Sequence, residues 1–219
     1  MSKVLITGAN RGIGLELCRQ LVSRGDEVIA VCRNASTDLQ SLSLRVIEGI
    51  DVSETNSISS LATQLEGVKL DWLINNAGIL SVESLDNLDF KAMEQQFRVN
   101  ALGPLQVTAA LLANLPGGSK VGIVTSRMGS VDDNTSGGYY GYRMSKAAVN
   151  MAGKSLARDL EGRGVAVALL HPGMVSTDMT GGRGVPVEQS AGGLIQRMDA
   201  LDISNTGSFW HAEGEGLPW

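Results

Sequence analysis

Short apolar runs alternate with longer amphipathic stretches from one end of this 219-residue sequence to the other. Several runs are hydrophobic at nearly every position, which is typical of strands covered on both faces, as in a parallel sheet. The predicted strands are Val4–Ile6, Val28–Val31, Leu44–Ile47, Leu70–Ile74, Val121–Thr125, Val165–Leu170 and Ser208–Trp210. The predicted helices are Gly12–Arg24, Thr55–Glu66, Phe90–Asn114 with a break near Gly103-Pro104, and Tyr142–Arg163. This alternation predicts an α/β fold with a doubly wound parallel sheet and helices on both faces.

The length and the net charge of the chain limit the number of domains and the classes of binding partner. A chain of 219 residues suits one domain, spanning residues 1–219, with a single sizeable core. The formal net charge of -5 leaves no basic surplus for nucleic acid or an anionic membrane surface. No apolar run approaches the length of a membrane span, and the first residues lack the regions of a signal peptide. We therefore expect a cytoplasmic protein that binds neither nucleic acid nor membrane.

The cysteines and histidines argue against a metal site. The only candidates of these two types are Cys18, Cys32, His171 and His211, and they do not form a cluster at ligand spacing. The two cysteines are best interpreted as small, buried, reduced residues. No metal is expected.

A glycine-lined turn follows the first predicted strand. Gly8, Gly12 and Gly14 would let the main chain turn tightly and approach a pyrophosphate, which the first amides of the following helix would attract. The spacing is Gly-x-x-x-Gly-x-Gly, which differs from the common Gly-x-Gly-x-x-Gly fingerprint. An ordinary glycine-rich turn is the alternative, but the position after strand one favours dinucleotide binding.

The end of the second predicted strand indicates which dinucleotide binds. Enzymes that use NAD place a carboxylate there, whereas this strand ends Val31-Cys32-Arg33 without one. Arg33, joined by Arg11 from the glycine turn, could bind a ribose 2′-phosphate through charge-assisted hydrogen bonds. Two solvated surface arginines are the alternative. NADP(H) is therefore favoured over NAD(H).

Two further strand ends carry polar residues. Asp51, followed by Val52, could accept a hydrogen bond from the adenine amino group, but a turn aspartate is an equal alternative. Asn75 and Asn76, followed by Ala77 and Gly78, would suit a flat cofactor lying against the strand end, although an Asn-rich turn alone would mean little.

Tyr142 and Lys146 are spaced one helical turn apart, so their Cβ atoms would lie roughly 5–6 Å apart on a helix. A nearby ammonium favours tyrosinate, and we expect Lys146 to lower the pKa of the Tyr142 phenol towards working pH. Such pairs also arise by chance on exposed helices. Tyr139 and Tyr140 lack a lysine four residues on, which singles out Tyr142.

Ser126 closes the strand Val121–Thr125, at the edge where the ligand crevice of an open sheet lies. Its hydroxyl could hold a substrate carbonyl oxygen beside the phenol. A strand-end serine bonded to its own turn is the alternative. A nucleophilic serine is disfavoured because the surrounding residues lack the Gly-x-Ser-x-Gly elbow.

Taken together, these motifs resemble those of the short-chain dehydrogenase/reductase family. The matching segments are Thr7–Gly14, Asn75–Gly78, Asn100, Ser126, Tyr142 with Lys146, and Pro172–Thr177, which cover the chain from Lys3 to about Thr177. Within the family, the Cys32–Asn34 and Gly137–Arg143 stretches and the final Leu217–Trp219 resemble the carbonyl reductase group of C-factor and Sniffer.

The resemblance implies a Rossmann-type sheet of seven parallel strands in the order 3-2-1-4-5-6-7 and hydride transfer. Tyr142 would be the general acid, Ser126 would position the carbonyl, Lys146 would hold the nicotinamide ribose, and Asn100 would anchor a proton-relay water. The expected cofactor-binding residues are Gly8, Asn10, Arg11, Gly12, Ile13, Gly14, Arg33, Asp51, Val52, Asn76, Ala77, Gly78, Tyr142, Lys146, Pro172, Gly173, Val175 and Thr177.

We therefore predict an NADP(H)-dependent oxidoreductase that reduces a small aldehyde or ketone, or oxidises the corresponding alcohol. A dinucleotide-binding signalling protein of the C-factor type is the alternative. The segments 132–138 and 180–184 are the expected substrate mouth. The apolar faces of helices 105–115 and 142–160 could form a homodimer contact of the family type, or could equally pack on their own sheet.

Overall fold

The structure, a computed structural model, describes residues 1–219 and contains one sheet of seven parallel strands. The strands are β1 Lys3–Thr7, β2 Glu27–Val31, β3 Arg45–Ile47, β4 Trp72–Asn75, β5 Lys120–Val124, β6 Ala166–His171 and β7 Ser208–His211. Their order in the sheet is β3-β2-β1-β4-β5-β6-β7. The predicted fold class and strand order are confirmed, while the single-domain organisation stays a prediction.

Seven α-helices connect the strands. They are α1 Gly12–Arg24, α2 Thr37–Gln40, α3 Thr55–Gln64, α4 Phe90–Phe97, α5 Gly103–Ala110, α6 Tyr140–Glu161 and α7 Val187–Ala200. None of them combines the length and the apolar character that crossing a bilayer requires. Helix α1 ends where Gly25 adopts a φ of 93°, and the N–H of this glycine donates to the carbonyl oxygens of Leu21 and Val22.

Alternate residues of each strand face opposite sides of the sheet, and both sides are buried. Leu5 and Leu73 belong to one core cluster of 24 residues, which also contains buried side chains of α3, α5 and α6. Val4 and Ile74 belong to a second cluster of 23 residues, which α1 and α7 complete. The near-continuous hydrophobicity of the strands thus reflects helices on both faces. Cys18 and Cys32 are buried and free, as predicted.

The predicted break near Gly103-Pro104 is wrong in its position. The chain passes without a break from α4 through a π-helical segment, Arg98–Leu102, into α5, where Pro104 occupies the first turn. Proline has no N–H to donate, and its place directly after the wider π-helical turn costs the continuous helix one hydrogen bond. The irregularity therefore falls on Asn100 instead of the proline.

Helix α7 was not predicted from the sequence. Gly192 and Gly193 interrupt its helical pattern, since glycine weakens an exposed helix by roughly 1 kcal/mol relative to alanine. The structure explains Gly193, because a Cβ there would lie 2.6 Å from the carbonyl oxygen of Ala212, which follows β7. Gly193 is therefore needed for the close contact between α7 and Ala212, and the same glycine hides the helical pattern in the sequence.

The core makes a direct stability prediction. Leu73 in β4 is fully buried between β1 and β5, so Leu73→Ala should lower the free energy of unfolding by about 2–5 kcal/mol. Leu85→Ala, at a side chain that is mostly exposed, should change it by less than about 0.5 kcal/mol. Urea titration of both variants measures the difference, and equal losses would contradict this description of the core.

Candidate active site

The carboxyl ends of the strands surround a cavity of about 960 Å³. It brings together sixteen of the predicted site residues: Gly8, Asn10, Arg11, Gly12, Ile13, Gly14, Arg33, Asp51, Val52, Asn76, Ala77, Gly78, Tyr142, Lys146, Pro172 and Thr177. Asn100, Ser126 and Val175 are buried and do not line it, and Gly173 lines a separate cavity beside His211. Residues 132–138 and 180–184, the expected substrate mouth, also lie outside it, whereas Ser176–Met179 form part of its wall.

The glycine turn is required by close approaches of the backbone. A Cβ on Gly8 would lie 2.7 Å from Cα of Ala77, and a Cβ on Gly14 would collide with the carbonyl oxygen of Gly8. Asn76 ties the turn to the end of β4, because its Nδ2 donates to the carbonyl oxygens of Thr7 at 3.0 Å and Gly8 at 3.2 Å. The predicted Asn-rich segment thus supports the glycine turn.

This turn presents unpaired amides to the cavity. The N–H groups of Gly12, Ile13 and Gly14 begin α1 and donate to no acceptor in the chain. Unpaired amides at a helix N-terminus attract an anion through both hydrogen bonds and the helix dipole. The residues present therefore fit the pyrophosphate of a dinucleotide.

The two arginines of the cavity differ in their partners. The guanidinium of Arg33 is 68% exposed and lies 3.9 Å from the carboxylate of Asp51. Arg11 does not join it, since its guanidinium lies 3.3 Å from the carboxylate of Asp178 beyond β6. Both arginines line the cavity, so the joint arginine site stays a prediction, with Arg33 the less closely paired of the two.

The sequence left two roles for Asp51, a contact to adenine or a turn aspartate, and in the structure its side chain forms a turn. Its Oδ1 accepts hydrogen bonds from the N–H of Ser53 at 2.9 Å and from the Ser53 hydroxyl at 2.7 Å. Burial raises the pKa of Asp51, but these hydrogen bonds and the charge of Arg33 outweigh it, so that the pKa is lowered. Asp51 nevertheless remains on the cavity wall beside Val52.

Tyr142 and Lys146 line the other end of the cavity, and Ser126 is buried beside Tyr142. Ser126 follows β5, its Oγ accepts the N–H of Met128 at 3.1 Å, and its hydroxyl lies near enough to the Tyr142 phenol to affect the phenol's pKa. The Nζ atom of Lys146 lies 5.6 Å from the centre of the Tyr142 ring and donates to the carbonyl oxygen of Val124 at 3.0 Å. The structure therefore brings the hydroxyl, the phenol and the amine together.

The pKa of Tyr142 is higher than the sequence suggested. Burial raises it to about 12, and the Ser126 hydroxyl lowers it only in part. Burial also lowers the pKa of Lys146 to about 8. The amine donates to Val124, and burial dominates the pKa of the phenol, so the expectation that Lys146 brings the Tyr142 pKa down towards working pH is wrong for this structure. The phenol is held in its protonated form.

Asn100 lies in the π-helical segment, a type of irregularity that often accompanies functional sites. Its Oδ1 accepts the N–H of Ile79 at 2.9 Å, and its Nδ2 donates to the Ile79 carbonyl at 2.9 Å and to the Ser145 hydroxyl at 3.0 Å. Ser145 in turn donates to the carbonyl oxygen of Tyr142 at 2.8 Å. Asn100 therefore links the segment after β4 to α6.

Sequence reasoning missed several residues of the site. Ile79 and Leu80 line the cavity directly after the Asn-Asn-Ala-Gly segment, and their position next to that motif was the available signal. Ser145 was missed because serine inside a helix carries no signal of its own. Asp178, the partner of Arg11, lies far from Arg11 in the sequence, and no sequence signal pointed to it.

Comparisons with known proteins define the class. Residues 2–185 match the family model described as short chain dehydrogenase, so the chain belongs to the short-chain dehydrogenase/reductase family. Two solved structures resemble the whole chain: NADPH-bound carbonyl reductase from chicken fatty liver, with 31% identity, a TM-score of 0.91 and 99% of its chain covered, and carbonyl reductase Sniffer of D. melanogaster, with 30% identity, a TM-score of 0.92 and 100% covered.

Two curated relatives are more similar in sequence. The 1-hydroxy-2-glutathionyl-2-methyl-3-butene dehydrogenase of Rhodococcus sp. (strain AD45) is 45% identical, with all of both chains covered. C-signal of Myxococcus xanthus is 44% identical over 73% of this chain and 99% of its own. The chain is thus an oxidoreductase of this family by fold and by relatives, and it also resembles a protein named for signalling.

The buried amine makes a pH prediction. The unfolded chain binds the Lys146 proton more tightly than the folded chain does, so folding is opposed below about pH 8 and this penalty fades as the pH rises towards 10.5. Lys146→Met should therefore raise the free energy of unfolding at pH 7 by about 1–3 kcal/mol, with the gain largely gone at about pH 10. Denaturant titrations at both pH values measure it, with exposed Lys91→Met as the control. A gain of equal size at both pH values would contradict a lowered pKa for the buried amine.

Proposed function

We propose that this chain reduces a small aldehyde or ketone with NADPH, or oxidises the corresponding alcohol with NADP+. One observation carries the proposal: the Tyr142 phenol and the Lys146 amine line one end of a cavity, with the Ser126 hydroxyl buried beside the phenol, and the other end offers the unpaired amides of α1. The solved carbonyl reductase from chicken fatty liver, which contains NADPH, supports the choice of cofactor.

In this proposal each residue has one task. Bound NADPH supplies the hydride for the substrate carbon. The Ser126 hydroxyl donates a hydrogen bond to the carbonyl oxygen, and Tyr142 donates the proton that this oxygen needs. Lys146 holds the nicotinamide ribose, and Asn100 anchors the water through which Tyr142 is reprotonated. The proposed cofactor-binding residues are those predicted from the sequence, with Gly173 and Val175 close behind Pro172.

The pKa of Tyr142 favours the reductive direction. A phenol whose pKa is raised to about 12 is protonated at neutral pH and is ready to act as an acid. Oxidation would require tyrosinate, which burial disfavours. The protonated phenol is therefore the form that carbonyl reduction needs.

The signalling alternative rests on the 44% identity to C-signal of Myxococcus xanthus. A protein that only senses a dinucleotide needs the glycine turn and Arg33 but has no use for a phenol, a hydroxyl and an amine at the far end of the cavity. Their convergence favours chemistry.

We also propose a homodimer. Leu105, Met144 and Met151 are exposed apolar side chains of α5 and α6, the two helices on which the resemblance to the family predicted a dimer contact, and Phe90 and Phe97 of the neighbouring α4 are exposed as well. The other apolar side chains of these helices, including Val107 and Val149, pack on the sheet. The alternative that these helices pack on their own sheet thus accounts for the buried side chains, and the dimer contact is proposed for the exposed ones.

Turnover tests the chemistry. The unmodified protein should oxidise NADPH when mixed with a panel of aldehydes, ketones and quinones, and NADP+ reduction should be tested with alcohols, including a glutathionyl-substituted one as named for the Rhodococcus relative. Tyr142→Phe should lower kcat by at least about 10²- to 10⁴-fold because it removes the proton donor. NADPH binding should change little. Absorbance of the reduced nicotinamide measures turnover.

Tyr140→Phe is the matched control, since Tyr140 lies on the exposed side of α6 and should lose no activity. Should the unmodified protein bind NADPH but consume none with any substrate, the signalling alternative would replace this proposal.

Arg33→Asp tests the cofactor choice. The introduced carboxylate would repel the 2′-phosphate, so the Kd for NADPH should rise about 10- to 100-fold while that for NADH changes little. Arg158→Ala is the matched arginine control and should not discriminate between the two nucleotides, because Arg158 pairs with Glu161 on α6 and does not line the cavity. Fluorescence titration gives both constants, and equal weakening of NADPH and NADH by Arg33→Asp would count against phosphate recognition.

A further inference from the structure

Glu83 is a buried carboxylate outside the motifs considered so far. It is 3% exposed and lies in the segment between β4 and α4. Its Oε1 accepts hydrogen bonds from the Ser81 hydroxyl and from Nε2 of Gln96, the latter at 2.7 Å, and its Oε2 accepts the N–H of Gly141 at 3.2 Å. All three donors are uncharged. A buried carboxylate held in this way is expensive unless each donor is well placed.

These hydrogen bonds lead to the start of α6, the helix that carries Tyr142 and Lys146. Tyr139, the residue before α6, has a φ of 52° and its side chain forms no capping hydrogen bond. Left-handed backbone is uncommon for a residue with a side chain and needs support from its surroundings. The N–H of Tyr139 donates to the main-chain oxygen of Glu83 at 2.9 Å. Glu83 therefore caps α6 from another part of the chain, with both its backbone and its carboxylate.

The position of this cap is itself fixed. Gln96 on α4 is fully buried, its Oε1 accepts the N–H of Ser81 at 3.1 Å, and its Nε2 donates to the Ser81 hydroxyl at 2.6 Å. A Cβ on Gly141 would collide with Nε2 of Gln96 and lie 2.8 Å from Cγ of Met93. The first turn of α6 therefore rests directly on α4, and the carboxylate of Glu83 joins the two helices.

We propose that Glu83 is a positioning residue for the reaction: its carboxylate holds the first turn of α6 against α4 and so sets where the Tyr142 phenol lies relative to Ser126. Gly141 directly precedes Tyr142, so a shift in this turn moves the phenol. Displacing a reacting group by about 1 Å can cost about 100-fold in rate. Asn100 and Ser145 hold α6 on the other side of Tyr142, and Glu83 supplies the second support. The inference rests on the proposed role of Tyr142.

Glu83→Gln tests whether the first turn of α6 needs a carboxylate at position 83, a group that only accepts hydrogen bonds. Its amide nitrogen would face either the N–H of Gly141 or the Nε2 of Gln96, so one donor would lose its acceptor. We expect kcat for carbonyl reduction to fall at least about tenfold, with KM and the Kd for NADPH within about threefold of the parent. The exposed Glu94→Gln on α4 is the matched control and should leave kcat unchanged.

The double variant Glu83→Gln with Gln96→Glu protects the test against simple misfolding. There the amide oxygen at position 83 can accept the N–H of Gly141 while its nitrogen donates to the carboxylate at position 96. We expect kcat to return to within about fivefold of the parent. The proposal is overturned if Glu83→Gln keeps kcat within twofold, or if the double variant restores the melting temperature but not kcat.

A second readout does not depend on turnover. The chain has three tyrosines, so Tyr139→Phe with Tyr140→Phe leaves Tyr142 as the only phenol. In this background the phenol should remain protonated at about pH 10, because burial raises its pKa to about 12. Adding Glu83→Gln should admit water, lower the pKa towards its ordinary value of about 10 and produce a tyrosinate absorbance band. Adding Gln96→Glu to Glu83→Gln in this background should remove the tyrosinate band again.

An unchanged titration with Glu83→Gln would overturn the inference whatever the enzyme's activity. By contrast, turnover that survives Tyr142→Phe would overturn the proposed function and leave the titration as the test of position. The two failures are therefore distinguishable.

Discussion

The site depends on the pairing of β1 with β4. Strand β1 lies between β2 and β4, so the order of the sheet reverses at this point and the connections leave in opposite directions. The reversal opens a crevice at the carboxyl ends of the strands. Gly8 lets the main chain come within contact of Ala77 there, and Asn76 bonds the two strand ends together. A side chain at Gly8 would collide with Ala77 and push apart the two walls of the cavity.

Burial controls the chemistry at the other end of this cavity. The same loss of water raises the pKa of Tyr142 to about 12 and lowers that of Lys146 to about 8, so both groups are driven towards their neutral forms. A neutral phenol is a proton donor, and an amine whose pKa is about 8 stays mostly protonated at neutral pH and donates hydrogen bonds. The direction of these shifts links the packing of α6 to the reductive chemistry that we propose.

Both apolar packing and hydrogen bonds hold helix α6, which carries Tyr142, in its place. Its apolar side packs on the sheet, and Gly129 lies so close to the backbone of Lys146 that a Cβ would be 2.6 Å from its carbonyl carbon. Asn100, Ser145 and Glu83 add directional hydrogen bonds around Tyr142. Apolar contacts resist separation but tolerate sliding, whereas hydrogen bonds resist both. The polar contacts therefore set the position of the phenol.

Much of this protein follows from its sequence alone. The apolar runs determined the seven strands, and the glycine turn, Asn75–Gly78, Ser126 and the Tyr142–Lys146 spacing determined the cavity, since the carboxyl ends of parallel strands meet at one edge. Only the tertiary structure decided that α7 is a helix despite two glycines, that Arg11 pairs with Asp178, that Tyr142 is a weaker acid than its lysine neighbour suggested, and that Glu83 caps α6. Local patterns report periodicity and spacing, whereas burial, ion pairing and capping across the chain depend on residues that come together only when the sheet has formed.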